Sequence, residues 1–151
     1  MLVVLIKEIG DNGSATLRVI LSPYPRGTFL EIVMQDMATF ALTLLHSGTN
    51  AHILHLQTDS FAKHEALGEY YEEIIELVDS LVEAYQGTAG IITQYPNTYH
   101  TPKEPVAYLE SLQKFVAESR GSLPQQTEIQ NIVDEIAQLI DSTVYKLRRF
   151  K

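Results

Sequence analysis

The chain has 151 residues, 45% of them hydrophobic, enough for one domain with its own core and no staples. It contains no cysteine, which excludes disulfides, thiolate metal sites and cysteine nucleophiles. The net charge of −8 opposes nucleic-acid binding, and the apolar run Leu2–Ile6 is too short for a signal core or a membrane span. DNA and membrane are therefore not expected partners, and the expected location is the cytoplasm.

Residues 2–9 and 15–22 are rich in β-formers and flank Gly10-Asp11-Asn12-Gly13-Ser14. Asn-Gly between two apolar runs predicts a β-hairpin, because both residues tolerate positive φ. Pro23, Pro25 and Gly27 mark a linker, giving an N-terminal hairpin unit over 1–27 and a helical domain over 28–151. Thr28 with Glu31 reads as a capping box. Leu30, Val33, Met37, Phe40, Ala41 and Leu44 then recur at helical spacing, predicting one long helix to about Gln57, distorted near Ser47-Gly48. The polar break Thr58-Asp59-Ser60 opens a second helix to about Gln86, with Gly87 as its C′ residue.

Residues 88–103, with Gly90, Pro96 and Pro102, form a long connection that lets the helices on either side run parallel. Pro105 opens a third helix that ends before Gly121. After Pro124, a stripe including Ile129, Val133, Ile136, Ile140, Val144 and Leu147 marks a fourth. The expected fold is mainly α: a ferritin-like four-helix bundle with a long crossover between its second and third helices, plus the N-terminal β-hairpin.

At 100° per residue, Leu67, Tyr71, Ile74, Val78, Leu81 and Tyr85 share one face of the second helix. Glu65, Glu69, Glu72, Glu76, Asp79 and Glu83 share the other, and with Glu73 there are seven acids and no Lys or Arg between 65 and 83. Like charges at i,i+4 disfavour a helix, so this face is either a solvated surface or a lining for something cationic. His52 and His55 lie on one face near the end of the first helix, and His64 lies at the start of the second. Imidazole with carboxylate suits iron, zinc or manganese. Asp79 and Glu83 are four apart and can share an ion. Asp79 is fifteen residues beyond His64, about 22 Å along a helix, so one chain does not bring both to one metal.

A second copy with its second helix antiparallel does bring them together. The candidate metal set His52, His55, His64, Asp79 and Glu83 therefore carries with it an expected homo-oligomer through antiparallel second helices. His46, His100, Tyr70, Tyr71, Tyr85 and Tyr145 read as structural, and Asp134, Glu135 and Asp141 as solvated or cage-lining. The basic end, Lys146, Arg148, Arg149 and Lys151, complements the dipole of the last helix. The stretch GDNGS lacks the Lys and helix of a phosphate loop, and no catalytic residue is assigned.

The spacing of His52, His64, Asp79 and Glu83 resembles that of the Dps family, the mini-ferritins named as DNA-binding proteins of starved cells. In that pattern a His late in the first helix is followed by a second twelve residues on, an Asp fifteen later and a Glu four after that. His52-Ile53-Leu54-His55-Leu56 is similar to the family's HxxHW with Leu for Trp, and VEAYQG (82–87) is similar to its helix end. Two registers stay open, with His52 or His55 as the first ligand. The resemblance spans about residues 29–150, and its motifs lie in 46–87. It implies iron binding and storage with Fe(II) oxidation at a dimer-interface site, the cofactor being iron or another divalent metal such as zinc or manganese.

The chain departs from the pattern at Gly68, where the family usually carries Asp or Glu, in its hairpin, and in lacking a basic N-terminal tail. His55 to Leu67 is also similar to short phage-encoded ferritin-like proteins, which adds the virion as an alternative location. The alternative function is a non-enzymatic scaffold or interaction protein that keeps the bundle without the activity.

Overall fold

The computed structural model describes residues 2–9, 15–22, 29–97, 99 and 102–150. The chain divides into two compact units, residues 1–32 and 33–151. In the first, strands β1 (Leu2–Ile9) and β2 (Ala15–Ser22) pair antiparallel in one unbroken register, from Leu2 opposite Ser22 to Ile9 opposite Ala15. The turn read at Gly10–Ser14, the linker at Pro23–Gly27 and the Thr28 cap lie outside the described residues.

Four helices make up the rest: α1 (Phe29–Gln57), α2 (Phe61–Ala89), α3 (Pro105–Ser119) and α4 (Thr127–Arg149), with a 3₁₀ turn at Arg120–Ser122. The expected distortion at Ser47-Gly48 is not there; α1 runs through without a break. A Cβ on Gly48 would lie 2.9 Å from Ile75 Cδ1 and 3.2 Å from Ile74 Cγ2. This glycine is the point where α1 and α2 approach closely, not a weak point of the helix. The hydroxyl of Ser60 caps α2 by accepting the Lys63 N–H at 3.4 Å.

Gly87 is not the C′ residue. The helix continues to Ala89, and Gly90 ends it, with φ +92° and its N–H donating to Gln86 O at 3.1 Å. Only the second of the two glycines adopts the positive φ that favours glycine. The Glu104 carboxylate caps α3 by accepting the Ala107 N–H at 2.8 Å, and Pro105 follows in the first turn as read.

Side-chain pairs give the helix directions. Ser47 meets Tyr70 and His55 meets His64, so α1 and α2 are antiparallel. Phe40 stacks on Phe115 and Asn50 meets Tyr108, so α1 and α3 are antiparallel. Arg120 pairs with Asp134 and Glu110 with Arg148, so α3 and α4 are antiparallel. Helices α2 and α3 therefore run the same way. The connection 90–104 must climb back along the bundle. Extended, it reaches about 50 Å, against about 43 Å for the length of α2. It is fastened at the bottom, where the buried Ile92 donates its N–H to Gln86 Oε1 at 3.0 Å, and at the top, where Tyr99 reaches α1.

The core lies between the helices. From α2 it takes Leu67, Tyr70, Ile74, Val78, Leu81 and Tyr85, so Tyr70, not Tyr71, is the aromatic on the inward face. The stripe of α4 is buried as read, from Ile129 to Leu147, and each such aliphatic side chain contributes roughly 1.5–3 kcal/mol. Among the described residues, no helix is long and apolar enough to cross a membrane.

Candidate functional site

The α1–α2 corner brings His52, His55 and His64 together with Tyr71. The His55 and His64 rings stack with centroids 3.6 Å apart and planes at 24°. His52 stacks on Tyr71 at 4.1 Å and 15°, and Tyr71 meets His55 edge-on at 5.4 Å. The two stacked histidines bind each other's backbone. His55 Nδ1–H donates to His64 O at 2.7 Å, and His64 Nδ1–H donates to His55 O at 3.1 Å. A carbonyl only accepts, so both rings carry a proton on Nδ1, and in the neutral imidazole the lone pair is then on Nε2. Each bond also has a structural effect. His55 O is one of the carbonyls left over in the last turn of α1, and the His64 imidazole satisfies it.

Gly68 completes this arrangement. A Cβ there would lie 3.4 Å from His55 Cε1 and 3.5 Å from its Nδ1. That is ordinary van der Waals contact with the imidazole that reaches the His64 carbonyl. At the level of sequence Gly68 read as a missing carboxylate. In the fold it is the position on α2 beside which the His55 ring packs.

The other half of the candidate set lies elsewhere. Asp79 and Glu83 are exposed on α2, beyond the helix's midpoint and away from the corner. Among the described residues, no three His, Cys, Asp or Glu side chains converge closely enough to hold a metal ion by themselves. The donors present in the corner are imidazoles with Nδ1 tied to backbone and Nε2 available. Metal-binding histidines elsewhere also donate their other ring N–H to a backbone carbonyl.

All seven acids from Glu65 to Glu83 are exposed, and Glu69, Glu72, Glu73 and Glu76 line an open hollow. Part of what is cationic beside them belongs to the chain itself, since Lys146 of α4 pairs with Glu69. Arg148 pairs with Glu110. Two of the four basic residues near the C-terminus thus already have acidic partners within the bundle. Asp134 and Asp141, read as solvated or cage-lining, hold Arg120 at 2.6 Å and accept from Gln113 at 2.7 Å.

Sequence reasoning missed a buried polar cluster one turn below the corner. Ser47 donates to Leu44 O at 2.6 Å and accepts from the Tyr70 hydroxyl at 2.6 Å. Asn50 donates to the Tyr108 hydroxyl at 2.8 Å and accepts from the Tyr99 hydroxyl at 2.9 Å. His46 packs edge-on against Tyr99 at 5.0 Å; His100 lies outside the described residues. Burial pushes the Tyr70 hydroxyl well above the ordinary phenol range, against the Ser47 hydrogen bond. Burial likewise raises Tyr108, with Asn50 opposing it. The available signal was Asn50 and Ser47 on the inward side of an apolar helix, three residues apart.

A family of unknown function, DUF5856, matches residues 55–147. The chain belongs to this family. The DUF5856 match begins at His55, so it covers the His55–His64 lock, the acidic face of α2, the crossover, α3 and most of α4. No curated protein and no solved structure matches the chain.

Proposed function

We propose that this DUF5856 protein is a metal-binding four-helix bundle of the ferritin-like, Dps-like kind. His55 and His64, with His52 beside them, hold one side of a divalent cation, and Asp79 and Glu83 of a second copy hold the other. The cation is iron, or another divalent metal such as zinc or manganese. The observation that carries this reading is the reciprocal lock of the two imidazoles. It puts a proton on each Nδ1, so that the neutral rings would offer Nε2, the form in which histidine binds metals. The helix directions support it further: α1 opposed to α2 and α3, and α2 parallel to α3 across a long crossover, is the order of a ferritin-like bundle. The polar side chains buried in the described core are Ser47, Asn50 and Thr143, a hydroxyl and amide set that favours a site at the surface over one inside the bundle. On the Dps-like reading, bound Fe(II) would give up one electron to dioxygen or peroxide; the chain's part would be to orient the imidazoles and present carboxylates.

Anaerobic titration with Fe(II), with metal analysis of the purified protein, tests this. His64→Ala and Asp79→Ala should both weaken binding, although they lie far apart in one chain. Asp79 is exposed, so its loss leaves the fold intact. Wild-type binding by both variants would remove the interface site.

A second reading has its own observation. The His55–His64 bonds already form a complete corner lock, satisfying a leftover carbonyl of α1. A non-enzymatic scaffold that keeps the bundle and uses the histidines only as a clasp accounts for that lock equally well. It predicts no metal in the purified protein and a lower melting temperature for His64→Ala.

A further inference from the structure

We propose that the end of the bundle where α2 and α3 begin and α1 and α4 finish is an isologous interface, which binds the same end of a second copy of this chain. It is a different surface from the acidic face of α2, and it needs no metal.

Four large apolar side chains stand exposed at this end. Leu56, in the last turn of α1, is 71% exposed, and Phe61, which opens α2, is 76% exposed. Tyr145 of α4 and Phe150 just past it are each more than half exposed and pack edge-on at 5.9 Å. The Lys146–Glu69 pair fixes the relative heights of the two helices. Phe150 lies four residues past Lys146 and Phe61 eight before Glu69, so the two rings stand within about 6 Å of one height. An aromatic side chain offers about 150–250 Å². The three exposed rings alone therefore present roughly 350 Å², nearly half of the ~800 Å² that each partner brings to a stable interface.

Charge selects the occupant. This end carries five acids and five bases, whereas the remainder of residues 33–150 carries eleven acids and two bases. Lys146 and Arg148 already pair with Glu69 and Glu110. Among the described residues, Lys63, Lys103 and Arg149 have no ion pair, and neither do Asp59, Glu65 and Glu104. Three bases and three acids thus remain beside the apolar side chains. Across a two-fold axis the same patch faces itself. A patch with equal numbers of both signs complements its own copy, and a two-fold contact elsewhere on these helices sets acid against acid.

The test is sedimentation equilibrium of the full chain, with and without a chelator, as wild type, Phe61→Ser, Lys103→Glu and Asp79→Ala. The wild type should pass from monomer to dimer as concentration rises and stop there, because an isologous contact closes. Chelator should not change this. Phe61→Ser and Lys103→Glu each act twice across the axis, and each should raise the dissociation constant by at least about tenfold. Both side chains are exposed, so the fold is kept. Adding Glu65→Lys to Lys103→Glu restores the balance of charge and should recover the dimer. Asp79→Ala should dimerise as the wild type does. A wild type that stays monomeric overturns the proposal, as does a dimer that Asp79→Ala or chelator dissolves and Phe61→Ser does not. Masses that grow past the dimer mark a head-to-tail contact and overturn it too. A monomer that cosediments with phosphatidylserine vesicles shows that this end meets lipid, and the proposal fails.

Discussion

Replacing Gly48 by Ala tests the α1–α2 packing most directly, because two effects of opposite sign meet there. In an exposed helix the change gains about 1 kcal/mol, since glycine is the poorest helix former after proline. Here the new methyl carbon would sit 2.9 Å from Ile75 Cδ1 and 3.2 Å from Ile74 Cγ2. Ile75 is 38% exposed and can swing its Cδ1 outward at little cost. Ile74 is fully buried, and its Cγ2 is fixed by a β-branched rotamer, so there the helices must part by a few tenths of an ångström. Overpacking of this kind costs about 1–3 kcal/mol. The cost exceeds the propensity gain, and a net loss of about 1 kcal/mol is expected, or about 3 °C in melting temperature for a chain of this size. Urea denaturation with an unchanged m-value measures it. Ile75→Val removes the Cδ1 that can already swing away, so combining it with Gly48→Ala should recover no more than a few tenths of a kcal/mol. A gain of about 1 kcal/mol in Gly48→Ala alone is what a solvent-facing helix would give, and it would refute the close approach.

Other substitutions address the buried polar cluster and the cap. Ser47→Ala should cost more than Tyr70→Phe, about 2 against about 1 kcal/mol in urea denaturation, because the first strands a buried phenol and the second leaves Ser47 still donating to Leu44 O. The raised Tyr70 hydroxyl gives stability a pH dependence. Above the ordinary phenol value of about 10 the unfolded chain loses that proton and the folded chain keeps it, so stability falls as pH rises, by up to about 1.4 kcal/mol per pH unit. Alkaline unfolding of Tyr70→Phe should show a shallower slope, and an identical slope would exclude Tyr70 as its source. Asn50→Ala deprives Tyr99 and Tyr108 of the side chain that joins them and should make the 90–104 connection the first site of limited proteolysis. Glu104→Ala should lower the melting temperature by a few degrees through loss of the α3 cap.

The helices were legible where one periodic signal had no competitor. The stripe of α4 has a single apolar face, and Pro105 has one favourable helix position, so both were read correctly. Choices between chemically equal neighbours were not legible. Tyr70 and Tyr71 both continue the spacing from Leu67, and only the position of Ser47 on α1 selects Tyr70 for the interior. Gly87 and Gly90 are equally good helix terminators in sequence. The difference between them is a backbone angle, set by where Gln86 can receive both Gly90 and Ile92.

The corner histidines are a different kind of case, because their grouping could be read and their bonding could not. Spacing along two helices joined by a three-residue break puts His52, His55 and His64 near one another, and they are near one another. Spacing does not reveal that each imidazole would bind the opposite helix's backbone. That depends on how closely the helices approach, which Gly48 in the middle of α1 permits, while Gly68 near the start of α2 lies beside the His55 ring. Both glycines stand in helix interiors, where each costs about 1 kcal/mol relative to alanine. A cost incurred twice, on facing surfaces of two consecutive helices, is itself a readable sign of close approach. Read that way, Gly68 marks where the His55 ring packs against α2. A Cβ on residue 68 would stand 3.4 and 3.5 Å from two atoms of the His55 ring, which is ordinary contact, so Gly68→Ala should be stabilising by up to about 1 kcal/mol through helix propensity. Urea denaturation measures it, and a clear loss of stability would show that the ring does not share the space with a methyl group.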